Sequence, residues 1–152
     1  MKHISDLLSV DRINVDADVH SKKKALEKLA SLLSDEQIDQ DDILAAMIAR
    51  EKVGSTGLGD NVAIPHCRVA NCSAPRTALL TLREAIDFDA LDGDNVDILW
   101  ALIVPENATQ EHLDLLAVIA GYLGDAQGRE AIRGCEDAQQ LYQWLDENGN
   151  IL

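Results

Sequence analysis

Apolar and polar residues alternate along Arg12-Ile13-Asn14-Val15-Asp16-Ala17-Asp18-Val19, the two-residue period of a half-buried strand. The period then changes. Leu26, Leu29, Leu32 and Leu33 recur at helical spacing behind Ser21, a residue suited to N-capping. Lys22, Lys23, Lys24 and Lys28 read as the solvated face of that helix. Asp41 or Asp42 is expected to cap a second helix, with Ile43, Leu44, Met47 and Ile48 as its apolar stripe and Arg50 near its end. Gly54-Ser55-Thr56-Gly57-Leu58-Gly59 breaks the helical pattern, and Val62-Ala63-Ile64-Pro65 reads as a short strand stopped by proline. Thr77 to Leu82 and Val96 to Val104 are apolar runs of strand length, with the turn signal Asp92-Gly93-Asp94-Asn95 between them. The second run is almost continuously hydrophobic, as expected of a central strand covered on both faces. From Asn107 the helical period returns through Leu113, Leu116, Val118, Ile119 and Leu123, punctuated by Gly124 and Gly128. Ala131 to Arg133 and Ala138 to Leu145 read as further short helices. Helices before and after a set of strands imply an α/β sandwich with a mixed sheet, although the order alone leaves the topology open.

The 152 residues fit one domain, spanning 1–152, and 47% apolar content is enough for a packed core. Only 3% are aromatic, so that core must be mainly aliphatic. Twenty-seven acidic against 13 basic residues leave a formal charge of -14. Such a chain repels phosphate backbones and anionic lipid, which argues against nucleic-acid and membrane-surface roles and for a protein partner with a basic docking face. No apolar run approaches the roughly 18 residues of a membrane span, and the start has no long apolar segment leading to a cleavage site. Cys67, Cys72 and Cys135 lack metal-type spacing and read as thiols in a reducing compartment. A soluble cytoplasmic protein without membrane insertion is the expectation.

The chemistry-bearing candidates are few. His3 and His20 sit in polar surroundings. His66 follows Pro65 at the end of an apolar strand, a place where α/β folds expose reactive groups on a rigid support. Proline stiffens the chain that delivers it. His112 begins the helix after Asn107 and precedes Leu115 and Leu116 by three and four residues, so it is aimed toward the apolar face. A helix start also favours a bound phosphate. The glycine loop is neither a P-loop, because Asp60-Asn61 follows Gly59, nor a dinucleotide fingerprint, because Val62 stands where the third glycine would fall. It is by default a structural loop, in which the Ser55 and Thr56 hydroxyls could donate to an oxyanion. Arg50 supplies a forked cation suited to phosphate or carboxylate, or to a surface ion pair. His66, Cys67 and His112 are zinc-compatible types, but adjacent His and Cys rarely reach one ion and no further ligand pair supports a metal. No nucleophile-elbow sequence marks a serine triad.

Arg50-Glu51-Lys52-Val53-Gly54-Ser55-Thr56-Gly57-Leu58-Gly59 followed by Val62-Ala63-Ile64-Pro65-His66 resembles the enzyme IIA family of the bacterial phosphoenolpyruvate-dependent phosphotransferase system, in its fructose/mannitol/nitrogen-regulatory branch. The likeness continues through Ile86 to Gly93, Val96-Asp97-Ile98-Leu99, Leu102-Ile103-Val104-Pro105 and Glu111-His112-Leu113, with Asp60-Asn61 standing where that family would have Asn-Gly. Ile64-Pro65-His66-Cys67-Arg68 and Cys72-Ser73-Ala74-Pro75 look most like the nitrogen-regulatory member. The expectation is then a three-layer α/β sandwich, its mixed sheet of about five strands flanked by helices on both faces. The resemblance implies that His66 accepts a phosphoryl group from the phosphohistidine of an HPr-like carrier, assisted by Arg50 and His112, with no cofactor or metal. A neutral His112 and the Ser55 and Thr56 hydroxyls would help to surround the phosphoryl oxygens. Regulatory target proteins would be the partners downstream. The alternatives are a sugar-specific enzyme IIA passing phosphate to an enzyme IIB, and a binding module of the same fold that works without phosphorylation.

Overall fold

The computed structural model describes residues 3–148, with the side chains of Glu111 and His112 outside the description. Two short 3-10 segments, Ile4–Leu7 and Val10–Arg12, lead into β1 (Ile13–Ala17), α1 (Lys22–Leu33), α2 (Gln40–Val53), β2 (Gly57–Gly59), β3 (Val62–Ala63) and β4 (His66–Val69). β5 (Arg76–Ile86), β6 (Val96–Pro105), α3 (Gln110–Gly124), α4 (Ala126–Gly134) and α5 (Ala138–Asn148) complete them. Among the described residues the strands form a six-stranded mixed sheet in the order β1-β5-β6-β3-β2, with β4 also paired to β6.

β6 is the covered central strand that its unbroken apolar run implies. Ile98, Trp100, Leu102 and Val104 pack with Ile119, Leu123, Ile132, Leu141 and Leu145 of α3, α4 and α5. The alternate residues Leu99, Ala101 and Ile103 pack with Leu29, Leu33, Ile43 and Met47 of α1 and α2. A strand whose side chains alternate between two helical layers has no polar face, and this makes a three-layer sandwich.

β3 and β4 lie end to end along one side of β6. Val62 and Ala63 pair with Ile98 and Leu99, and His66 to Val69 pair with Leu102 to Pro105, all in parallel. Between them Pro65 has no N–H to give, but its carbonyl accepts the Leu102 N–H at 2.9 Å, so β6 keeps its ladder while the outer strand is interrupted. Proline therefore breaks the strand without ending it. The sixth strand lies beyond the expected stop, and His66 opens a strand instead of trailing one.

Three local expectations are corrected. The second helix is capped by Asp39, whose carboxylate accepts the N–H groups of Asp41 and Asp42, so those two residues belong to its first turn. Lys22 does not belong to a solvated face: it is half-buried, with its ammonium 4.5 Å above the centre of the Phe88 ring. Gly128, expected to punctuate the helical pattern, lies inside α4. Asp60 and Asn61, both with positive φ (55° and 65°), turn β2 into antiparallel β3 as a type I′ turn would, a conformation that Asn-Gly also favours.

A Cβ on Gly128 would stand 2.7 Å from the Tyr122 carbonyl oxygen, a backbone atom that cannot swing aside. Gly128→Ala is therefore expected to destabilise the fold by about 1–3 kcal/mol, despite alanine's better helix propensity. Urea unfolding checks this, and an unchanged or raised midpoint contradicts the packing described.

Candidate active site

His66 is delivered by the broken strand. Register with Leu102 puts it on the α3 side of the sheet together with Arg68, which pairs with Val104, while Cys67 and Val69 turn into the core beneath α1 and α2. The His66 Nδ1 lies 2.8 Å from the carbonyl oxygen of Ile64. A carbonyl can only accept, so Nδ1 carries the proton and, in the neutral ring, the lone pair resides on Nε2. Burial pushes the imidazolium pKa below its ordinary value of 6.5; the Ile64 carbonyl opposes this, the Arg50 charge adds to it and Glu51 opposes it. Neutral at pH 7, the ring thus has a defined tautomer.

α2 packs against β4, and the two leave a cleft of about 410 Å³ lined by Ala46, Ala49, Arg50, His66, Cys67 and Arg68. Ala46, Ala49 and Arg50 share one helical face, and the two alanines are small enough to leave room before the histidine. Arg50 reaches back to donate to the Gly54 carbonyl at 2.9 Å, at the end of its own helix. Arg68 donates to the carbonyls of Ala108 and Glu106, tying β4 to the loop that starts α3. Two guanidinium groups thus border the cleft that holds His66. Arg68 was not singled out in the sequence, although its two-residue spacing from His66 put it on the same side of an extended strand.

The loop hydroxyls are engaged elsewhere. Ser55 Oγ donates to the Phe88 carbonyl at 3.0 Å and accepts the Gly57 N–H at 3.1 Å. Thr56 is buried, and its hydroxyl and N–H both donate to the Glu51 carboxylate. With each hydroxyl proton directed at a protein acceptor, Ser55 and Thr56 shape the loop in this structure, which does not support the expectation that they donate to an anion. Glu51, which this arrangement depends on, went unmarked in the sequence because a glutamate near a helix end usually faces water. His112 lies in the first turn of α3, but its side chain is outside the described residues. Among the described residues no group of three or more His, Cys, Asp or Glu is placed to hold a metal ion. Burial, with Cys72 nearby, pushes the Cys67 thiol up to about 12, which leaves it a packed apolar group without thiolate character.

A family model described as "Phosphoenolpyruvate-dependent sugar phosphotransferase system, EIIA 2" matches residues 6–148. The chain belongs to this enzyme IIA family. It is 45% identical over 145 residues to the "Nitrogen regulatory protein" of Pseudomonas aeruginosa, covering 94% of each. It is 30% identical over 146 residues to the "PTS system fructose-specific EIIA component" of Haloferax volcanii, covering 95% of each. Its structure superposes on the crystal structure of "Nitrogen Regulatory Protein IIA-Ntr" from Neisseria meningitidis with a TM-score of 0.88 and 39% identity, over 93% of this chain and 98% of that one. The enzyme IIA domain so identified has the α/β fold its sequence pattern implied, and among the described residues no helix is long and apolar enough to cross a membrane.

The depressed imidazolium pKa is directly measurable. In the folded protein the His66 ring is expected to titrate below 6.5 by NMR. Its neutral form then contributes stability that is fully present above the unfolded-state pKa and declines as pH falls through the folded value. A midpoint at or above 6.5 contradicts the burial described.

Proposed function

We propose that this enzyme IIA domain, a single cytoplasmic unit over 1–152, is a phosphocarrier of nitrogen-regulatory type that accepts a phosphoryl group on His66 from an HPr-like phosphohistidine protein. The observation that carries this reading is the Nδ1–H bond to the Ile64 carbonyl, in a cleft bordered by two arginines. It leaves Nε2 as the nitrogen with a lone pair to attack phosphorus in line with the leaving nitrogen. The Nε2–P bond forms as the donor's N–P bond breaks, with that electron pair remaining on the donor nitrogen. A donor ring protonated at its second nitrogen departs as neutral imidazole. His66 becomes a phosphorylated imidazolium, its Nδ1–H still held by the carbonyl. Phosphoryl transfer needs positioning and charge stabilisation more than covalent help, and Arg50 provides the fork for the equatorial oxygens. His112 in the first turn of α3 is the second assisting group.

A net charge of -14 steers a carrier with a basic rim toward the domain. Phosphorylation then adds nearly two negative charges beside the docking face, which changes which target proteins bind. The likeness to nitrogen regulatory proteins favours this regulatory output. The fructose-specific relative favours a second reading, in which the phosphoryl group passes on to an enzyme IIB for sugar uptake.

Incubation with phosphoenolpyruvate, the first enzyme of the relay and its HPr-like carrier is expected to give an acid-labile, alkali-stable label that His66→Ala abolishes. Arg50→Ala should slow labelling by about 10²-fold or more, with Arg50→Lys recovering only part of it. No label on the wild-type protein contradicts the phosphocarrier reading. Rapid discharge of the label to an enzyme IIB would move the output from regulation to transport.

A further inference from the structure

Glu51 is a buried acidic residue with an unusual set of partners. Its side chain is 5% exposed and lies one residue past Arg50, a step of about 100° around α2 that turns it away from the cleft and into the protein. One oxygen accepts the Thr56 N–H at 3.2 Å and stands 3.1 Å from the Lys22 ammonium; the other accepts the Thr56 hydroxyl. Lys22 in turn lies over the Phe88 ring and 3.7 Å from Asp89. A carboxylate taken out of water persists as an ion only when so surrounded, because an unpaired buried charge costs several kcal/mol. The arrangement ties the start of α1, the end of α2, the loop at residues 54–57 and the segment after β5 to one point.

From that point a short path leads to the reactive ring. Thr56, held at its N–H and its hydroxyl, accepts the Ile64 N–H on its carbonyl at 3.1 Å. Ile64, held by that bond and followed by the rigid Pro65, presents its carbonyl to His66 Nδ1 at 2.8 Å. We propose that Glu51 is a positioning residue for His66, fixing the orientation and tautomer of the imidazole through Thr56 and Ile64. This role rests on the reading of His66 as phosphoryl acceptor. Among the described residues, Arg50 and Glu51 of α2 act on the charge of the ring, and Arg68 of its own strand lines the same cleft. Glu51 has a second effect on the ring: its negative charge offsets the nearby arginine and keeps the imidazolium pKa from falling further.

The test uses the intact chain carrying ¹⁵N-labelled histidine. Glu51→Gln keeps the shape and removes the charge. It is expected to lower the His66 pKa, shift its ring nitrogens from the Nδ1–H tautomer toward a mixture, and slow phosphoryl acceptance at least tenfold. Thr56→Val keeps the charge and deletes only the hydroxyl donor. It should loosen the tautomer in the same direction with little change in the pKa contributed by Glu51, and Thr56→Ser should recover the wild-type tautomer. If Glu51→Gln does not fold, the Thr56 pair decides. Folded variants with the wild-type tautomer and labelling rate overturn the proposal while His66 remains the acceptor. A wild-type protein that takes no label removes the acceptor reading instead, and the tautomer measurements still decide whether Glu51 positions the ring.

Discussion

A histidine that donates its Nδ1 proton to the carbonyl two residues earlier has only Nε2 left as a nucleophile, and that bond requires the backbone to leave the sheet and return to it within two residues. Pro65 accomplishes this. It withholds one N–H from the ladder and limits the conformations of Ile64, yet its own carbonyl still accepts from Leu102. The interruption is therefore confined to the outer strand, and β6, packed on both faces, stays rigid beneath it. Arg50 and Arg68 border the cleft between α2 and β4, and the broken strand holds the ring in that same cleft.

Electrostatics divides by distance. At long range the chain is strongly acidic, with 27 carboxylates against 13 basic side chains. At contact range the cleft presents two guanidinium groups. The first suits long-range attraction of a basic partner and the second suits short-range contact with an anion, and salt screens the former far more than the latter. Burial reinforces this division, since it favours the neutral form of His66 and keeps Cys67 beside it a thiol.

The long periodic segments were legible because each buries one continuous apolar face: the leucines of α1, the stripe of α2, the doubly covered β6 and the helices after Asn107. The site was legible in part. His66 and Arg50 stand in the segment that carries the resemblance to the enzyme IIA family, and the structure brings both to one cleft. The rest was hidden for physical reasons. β4 lies beyond a proline that read as a terminator, because a sequence does not reveal that the neighbouring strand will keep the ladder running. Lys22 read as part of a solvated helix face and Glu51 went unmarked; only tertiary packing joins them in the interior. Ser55 and Thr56 looked like anion donors because hydroxyls between glycines are compatible with that role, but Phe88 and Glu51 take their protons in the fold. Arg68 carried a usable signal, its two-residue period with His66, once the segment is known to be extended.

The central claim is that the protein fixes which ring nitrogen reacts. NMR of ¹⁵N-histidine-labelled protein after phosphorylation through the relay tests it most directly, because the one-bond coupling between phosphorus and nitrogen identifies the phosphorylated atom. Phosphorus on Nε2 of His66 with Nδ1 still protonated is the result predicted. Phosphorus on Nδ1 would contradict the account, since that nitrogen would have to abandon the Ile64 carbonyl on which the geometry of the site depends.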